Sequence, residues 1–328
     1  MDLSAITIQQ LRYVVAVDRH RSFREAARAC HVSQPALSAQ IKKVEELLSF
    51  HVFDRSRQPV TTTDRGLLAV AHARSVLAQI AHFAEIGGSS EEVAGGYRLG
   101  VLPTLSSTIL PRLLPRFVRA YPKVELEVFE EKTEVLVRRL RDGSLDGGIA
   151  ITPLDVPGIH ERVVCHEAFL AYLPPRHALA KKDRLRQAAL VDEHVWLLSE
   201  GHCFRTQALH LCAVDRRHVE PNKPSVVFDG GSFDTLMNLV DAGFGITVVP
   251  ELLALGLPAA RRAAQVRRFG DPEPRREISL LAGREHLRRG IADALFATLK
   301  AGVPPELQPG AARANVIAPT PRRSKPRA

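Results

Sequence analysis

Apolar positions recur at helical spacing over the first ~65 residues and in short strand-like runs over most of the remainder. Leu11, Val14 and Val15, followed by Asp18-Arg19, give one amphipathic stretch, and Ser22 is placed to cap a second helix over Phe23–Cys30. His31-Val32 forms a short break. Ser33 then caps a third helix with Pro35 in its first turn. At 100° per residue, Leu37, Ile41, Val44 and Leu48 of that helix fall in one narrow arc. Pro35, Ser38, Ala39, Lys42 and Lys43 line the other side, a small-residue and basic face unlike the Glu/Lys mixture of a merely solvated helix. Asp64–Ile86 reads as one long helix in which Val70, Ala73, Leu77, Ile80 and Ala84 repeat at coiled-coil spacing. That pattern predicts a dimer seam, the alternative being a helix packed on its own domain. Gly87-Gly88-Ser89-Ser90 and Gly95-Gly96 bracket a linker.

From Tyr97 the period changes. Tyr97–Leu102, Val124–Phe129, Gly147–Thr152, Phe169–Leu173, Val195–Leu198, Val226–Phe228, Gly245–Val249 and Ile278–Leu281 read as strands. Ser106–Ala120, Thr133–Asp142, Ser232–Ala242 and Arg288–Ala301 read as helices between them. The alternation predicts an α/β body with mostly parallel sheets, built as one sheet or as two lobes. Val303–Ala328, rich in proline and basic residues, is expected to be a disordered tail.

The 328 residues suit two to three domains. An apolar content of 45% excludes a wholly disordered chain. No apolar run reaches the ~18–20 residues of a membrane span, and the N-terminus lacks the basic start and apolar block of a secretory signal. With four cysteines there is no disulfide scaffold, so a reducing cytoplasm is the expected compartment. The net charge of +9 is uneven: residues 1–75 hold 11 Lys/Arg against 7 Asp/Glu, and 311–328 hold five basic groups and no acid, with a neutral body between. A basic N-terminal end points to a polyanion.

A helix, a break and a second helix with a small-residue, basic face is the helix-turn-helix pattern, whose recognition helix enters a major groove. LxYVVAVxxxxSFxxAAxxCxVSQPALSxQIxxVE (Leu11–Glu45), then VFDR and TTTDRG (Val52–Gly66), resembles the N-terminal domain of LysR-type transcriptional regulators. Val44 and Ser49 stand where Leu and Gly are more usual. The resemblance implies a winged helix-turn-helix over residues 1–65 with its wing near Phe53–Thr63, and a linker and dimerisation helix with a hinge over 66–96. Ser33, Gln34, Pro35, Ser38 and Gln40 would lie at base edges or nearby backbone, and Lys42, Arg55 and Arg57 at phosphates.

GVLPTLSSTILPRLLPRFVRAYP (Gly100–Pro122) and DAGFGITVVPE (Asp241–Glu251) carry the resemblance into the body. They imply a two-lobed fold like that of type II periplasmic solute-binding proteins over 97–302. Lobe one would be 97–169 plus 277–302 and lobe two 170–276, with a ligand between them. Promoter DNA, a homo-oligomer built as a dimer of dimers, and RNA polymerase are the implied partners; no cofactor and no membrane contact is expected.

Cys203 follows the Val195–Leu198 strand at the apparent start of a helix, with His202 and Arg205 beside it. A thiol so placed should have a depressed pKa, and thiolate is the form that attacks peroxide to give a sulfenic acid that a second thiol captures. Cys212 lies nine residues on, ~13.5 Å of helical rise away and on the opposite face. A disulfide needs Cα atoms within ~7 Å, so both cysteines cannot share an intact helix and also bond. Two bland readings stand beside this one: small buried hydrophobes, or a zinc site with His202 and His210, whose spacing fits poorly. Cys30 and Cys165 read as core residues.

The segment Ser199–Ala208 followed by Cys212 resembles the peroxide-sensing members of the LysR family, as do Ser232–Pro250 and Glu273–Arg276. The resemblance implies Cys203 as the residue oxidised by hydrogen peroxide and Cys212 as the one that closes a disulfide. Thr104 and Thr133 would bind peroxide, although both could equally be helix caps. His202, Arg205 and one of Arg275 and Arg276 would support the charge. Thr206 departs from the acidic residue usual after that arginine, which bears on peroxide reactivity. The implied function is a redox-switched regulator of oxidative-stress genes and not an enzyme. The alternative is a LysR-type regulator answering a small-molecule inducer, with incidental cysteines. A thiol peroxidase would leave Leu11–Gly66 without a purpose, and a transport-type binding protein lacks the expected export signal.

Overall fold

The computed structural model describes residues 6–56, 58–86, 93–191, 193–212, 230–283, 289–307 and 315–319. Val226–Phe228 and Arg57 lie outside them. Residues 1–92 with 138–146 form one compact unit, and 93–137 with 147–328 another.

In the first unit, α1 (Ile8–His20) opens on a reciprocal cap: the Gln10 N–H donates to the Thr7 hydroxyl and the Thr7 N–H donates to Gln10 Oε1. α2 (Phe23–Ala29) and α3 (Gln34–Leu48) start on Ser22 and Ser33, whose hydroxyls accept from the Glu25 and Ala36 N–H groups. β1 (Phe53–Asp54) and β2 (Thr61–Thr62) pair antiparallel as the wing, with Phe53 opposite Thr62. α4 (Asp64–Ile86) follows. Val14, Val17, Ala26, Leu37, Ile41, Val44 and Phe53 share the core. Gly66 lets α4 start close to the wing, since a Cβ there would stand 2.1 Å from the Val52 carbonyl oxygen. The expected seam on α4 is not one surface. Val70 and Ala73 are buried in the unit's own core, and the exposed apolar residues are Leu67, Leu68 and Val76. Ala84's side chain lies outside the described residues.

The second unit runs β3 (Gly95–Val101), α5 (Pro103–Ala120), β4 (Val124–Glu130), the start of α6 (Thr133–Arg141, whose last four residues belong to the first unit), β5 (Gly147–Thr152) and β6 (His160–Tyr172). It continues through β7 (Arg184–Leu185), β8 (Val195–Trp196), α7 (Cys203–Cys212), α8 (Phe233–Asp241), β9 (Ile246–Pro250), α9 (Glu251–Leu255), α10 (Ala259–Gln265), β10 (Val266–Phe269), β11 (Arg275–Ala282) and α11 (Arg289–Gly302). The sheet order is β4-β3-β5-β11-β6-β10-β7, with β9 beside β6 and β8 beside β9. β3, β4 and β5 pair parallel, as do β8 with β9 and β7 with β10.

The expectation of mostly parallel sheets is corrected here: β11 runs antiparallel to β5 and β6, and β6 antiparallel to β9 and β10. The reason is β6. Residues 160–168 of this strand pair with β11, and 169–172 pair with β9, so one long strand serves both lobes. It is buried on both faces from Val164, but His166 and Glu167 interrupt the apolar run, so the pattern reveals only the second half of the strand. The second lobe closes over Phe169, Tyr172, Trp196, Phe204, Leu211, Leu236, Val248 and Phe269.

The C-terminal region is not the disordered tail expected over 303–328, at least where it is described. Val303 and Leu307 are buried around a 3-10 turn at Pro305–Leu307. Val316 forms a parallel bridge with Arg275, and Ile317 packs on the second lobe's core.

Candidate functional site

β3 and β4 are parallel neighbours, so α5 and α6 both begin at the same carboxyl edge of the sheet, where ligands of α/β folds bind. Thr104 sits in the first turn of α5 and Thr133 begins α6. Thr104 is buried, it is not the cap of its helix, and its Oγ has no hydrogen-bond partner among the described residues. From the second lobe, the chain leaves β8, turns at Gly201 (φ 88°) and enters α7 at Cys203. The Cys203 thiol is free and half-buried, and it hydrogen-bonds with Thr133.

The third contribution comes from β11. Arg276 is fully buried, its Nε donates to Glu167 Oε1 at 2.8 Å, and its guanidinium lies 5.0 Å from the Phe204 ring centre. Nη2 stands 2.7 Å from the same carboxylate oxygen, while Nη1 has no partner among the described residues. Glu167 Oε2 accepts from the Leu252 N–H at 2.8 Å, so both carboxylate oxygens are used. Gln207, one turn after Cys203 on the same helix face, is fully buried, and its Oε1 has no partner among the described residues. The Thr104 hydroxyl, the Arg276 Nη1 and the Gln207 Oε1 are each buried without a hydrogen-bond partner among the described residues, and a small polar molecule is the kind of group that satisfies such atoms.

Burial pushes the Cys203 thiol up, against the expected depression; the Arg276 charge, the Phe204 N–H and the Thr133 hydroxyl pull it down without overcoming that penalty. Thiolate therefore accumulates only as pH rises above the ordinary thiol value of ~8.5. Alkylation of Cys203 by iodoacetamide is expected to climb through pH 9, and a plateau reached below pH 8 would contradict this.

Two of the expected charge-supporting residues face elsewhere. Arg205 Nη1 donates to the Leu198 carbonyl at 2.8 Å, closing the turn ahead of α7. Arg275 Nη2 donates to Glu273 Oε2 at 2.9 Å, so of the two adjacent arginines it is Arg276 that acts on the thiol. His202 Nε2 lies against Gly231. Thr206 is half-exposed. Cys165 is fully buried in β6, and Cys30 is half-buried just past α2. Cys212 is the last residue of α7; its side chain lies outside the described residues. Among the described residues no three His, Cys, Asp or Glu side chains gather as a metal site.

In the first unit, Ser33, Gln34, Pro35, Gln40 and Lys42 are exposed on α3. Gln40 is also tied inward, its Oε1 accepting from Gln10 Nε2 at 2.9 Å. Ser38 and Arg55 form a structural group: Arg55 Nη1 donates to Ser38 Oγ at 3.2 Å, Nη2 donates to Glu45 Oε2 at 3.0 Å, and the guanidinium covers the Phe23 ring. Glu45 itself is buried, and its Oε1 accepts from the Val52 and Phe53 N–H groups. The charge of Arg55 is thus matched inside the domain. Arg55→Ala is expected to leave the slope of log affinity against log salt within about half a unit, whereas Lys42→Ala lowers it by about one; promoter titrations over a salt series check both.

Residues 8–67 match the bacterial regulatory helix-turn-helix proteins of the lysR family, and residues 90–304 match the LysR substrate binding domain. The chain belongs to the LysR family. Among curated relatives, this LysR-family chain is 33% identical over 298 residues to the hydrogen peroxide-inducible genes activator of Pectobacterium carotovorum, covering 90% of the chain and 96% of the relative. It is 34% identical over 279 residues to the DNA-binding transcriptional dual regulator OxyR of Escherichia coli K12, covering 84% and 89%. A cysteine-to-aspartate variant of full-length OxyR from Pseudomonas aeruginosa superposes with a TM-score of 0.76 at 30% identity, covering 90% and 97% of the two chains. A hydrogen-peroxide-bound cysteine-to-serine variant of OxyR from Corynebacterium glutamicum superposes with a TM-score of 0.58 at 29% identity, covering 90% and 92%.

Sequence reasoning about this LysR-family member missed Gln207 and Glu167. The i, i+4 spacing of Cys203 and Gln207 is a signal for the first. For the second the signal is an acid placed directly before the apolar run Ala168–Leu173, where burial would demand a partner.

Proposed function

We infer that the protein is a DNA-binding transcriptional regulator that senses hydrogen peroxide through Cys203. The observation that carries the reading is α7 itself: one ten-residue helix with a cysteine at each end, the first held beside Arg276 and Thr133. The Cys203 thiolate attacks one oxygen of the peroxide, the O–O bond breaks, and the departing hydroxide takes a proton to leave as water. Thr104, Thr133, Gln207 and Arg276 are the groups suited to hold the peroxide and the developing charge. The Cys212 thiol then attacks the sulfenic sulfur, and a second water leaves as the Cys203–Cys212 disulfide forms. Nine residues of helix separate the two ends by ~13.5 Å, so closure unwinds part of α7 and redox chemistry becomes a change of shape.

The exposed α3 face of the helix-turn-helix would read promoter DNA. The change of shape would alter contacts between subunits of a homo-oligomer, a dimer of dimers, and through them the promoter contacts and the engagement of RNA polymerase. One peroxide is consumed per disulfide, and the disulfide is reset by thiol exchange; stoichiometric oxidation without rapid multiple turnover in the presence of a reductant is what a switch should show, whereas rapid turnover would mark an enzyme. No described helix is long and apolar enough to cross a membrane, and reversible thiol chemistry suits the cytoplasm. The test is one equivalent of hydrogen peroxide followed by peptide mass mapping. An intramolecular Cys203–Cys212 peptide pair is expected; thiols that stay reduced while a small molecule shifts promoter binding would favour an inducer-controlled regulator instead.

A further inference from the structure

The segment 315–319 lies beyond the region that matches the LysR substrate binding domain, which ends at residue 304, yet it is docked on the sensing machinery. Four contacts hold it. Asn315 Nδ2 donates to the Pro272 carbonyl at 2.7 Å, the Ile317 N–H donates to the Arg275 carbonyl at 2.9 Å, and Gln207 Nε2 donates to the Ile317 carbonyl at 2.5 Å. The Ile317 side chain packs on the second lobe's core, and Pro319 is buried. One short segment therefore bonds to β11, one residue from Arg276, and to α7, one turn from Cys203.

We propose that Asn315–Pro319 is a C-terminal strap that ties α7 to β11 and holds the sensing helix in its wound, reduced form. The inference rests on the reading that Cys203 and Cys212 close a disulfide. Gln207 lies in the middle of the helix that closure must unwind, and its amide meets Ile317 only while that turn is formed. The strap therefore binds the reduced state better than the oxidised one, and by linkage it shifts the equilibrium toward the thiols. Its contact with Gln207 also fixes an amide that stands one turn from Cys203 on the same helix face.

The experiment compares the full chain with two variants, full-length Ile317→Asp and a chain ending at Leu307. Hydrogen exchange of the α7 amides is measured in the reduced proteins. The disulfide equilibrium is measured in glutathione buffers, where two glutathione thiols and one protein disulfide exchange for one glutathione disulfide and two cysteine thiols. Both variants should exchange α7 amides at least fivefold faster while α5 and α11 keep the parent's protection. In both, the disulfide should be favoured about tenfold more, a reduction potential ~30 mV more negative. Unchanged α7 exchange and an unchanged equilibrium in both variants would overturn the strap. Absence of any Cys203–Cys212 disulfide in the parent chain would instead sink the redox reading, and the strap's regulatory role with it.

Discussion

Cys203→Ser is expected to abolish the peroxide-dependent change in promoter footprint while leaving the footprint of the reduced protein in place. Serine is nearly isosteric and its hydroxyl takes the thiol's place toward Thr133 at the first turn of α7, so the helix and that contact survive. What is lost is the nucleophile, since a serine hydroxyl does not attack peroxide and cannot form a mixed or internal disulfide. Cys212→Ser should separate the two steps. Its Cys203 is still oxidised to a sulfenic acid that dimedone traps, but α7 has no reason to unwind and the footprint stays that of the reduced protein. Footprinting of parent, Cys203→Ser and Cys212→Ser proteins with and without one equivalent of peroxide reads all of this. A full footprint shift in Cys203→Ser would remove Cys203 from the mechanism.

Glu167→Ala is expected to destabilise the second unit by ~3–5 kcal/mol, the usual cost of leaving one partner of a buried ion pair alone. Both side chains of the Glu167–Arg276 pair are fully buried, and the carboxylate also satisfies the Leu252 N–H. Removing the acid strands a guanidinium with no water to solvate it. Arg276→Ala strands the carboxylate in the same way and also withdraws the charge that pulls the Cys203 thiol down, so it should raise that thiol further. Replacing both by apolar residues of similar volume, Glu167→Leu with Arg276→Met, should recover most of the stability but none of the peroxide reactivity. Urea unfolding paired with the sulfenic-acid trapping rate checks the split. A single Glu167→Ala variant as stable as the parent would show that the pair is not enclosed as described.

Much of the fold was legible because its signals are local. Ser22 and Ser33 announce the starts of α2 and α3, and the arc of Leu37, Ile41 and Val44 announces the buried face. β4 and β5 start where the short apolar runs from Val124 and Gly147 do, whereas α5 starts at Pro103, about one turn ahead of the Ser106 that its pattern suggests. What the residues do to each other across the sheet was less legible. β7 and β10 are short strands whose charged residues Arg184, Arg267 and Arg268 hide a strand pattern. The thiol's environment was misjudged because local sequence shows Arg205 and His202 beside Cys203 but not the burial around it. Arg205 turns back to Leu198 because the carbonyls left by the Gly201 turn need a donor. Arg55 looked free for phosphate because Glu45, ten residues earlier, gives no sign in the sequence of pointing inward.

Arg275 and Arg276 are consecutive on β11, so the pleat sends them to opposite faces, one to Glu273 and the other to Glu167. Sliding this strand by a single residue would exchange the two and put the wrong arginine in the protein interior. An irregularity between Ile278 and Ser279 and pairing with both β5 and β6 pin the phase of the strand. The loop Gly270–Pro274 that feeds it should accordingly tolerate neither an insertion nor a deletion, and within it Glu273, which holds Arg268 and Arg275, should resist substitution.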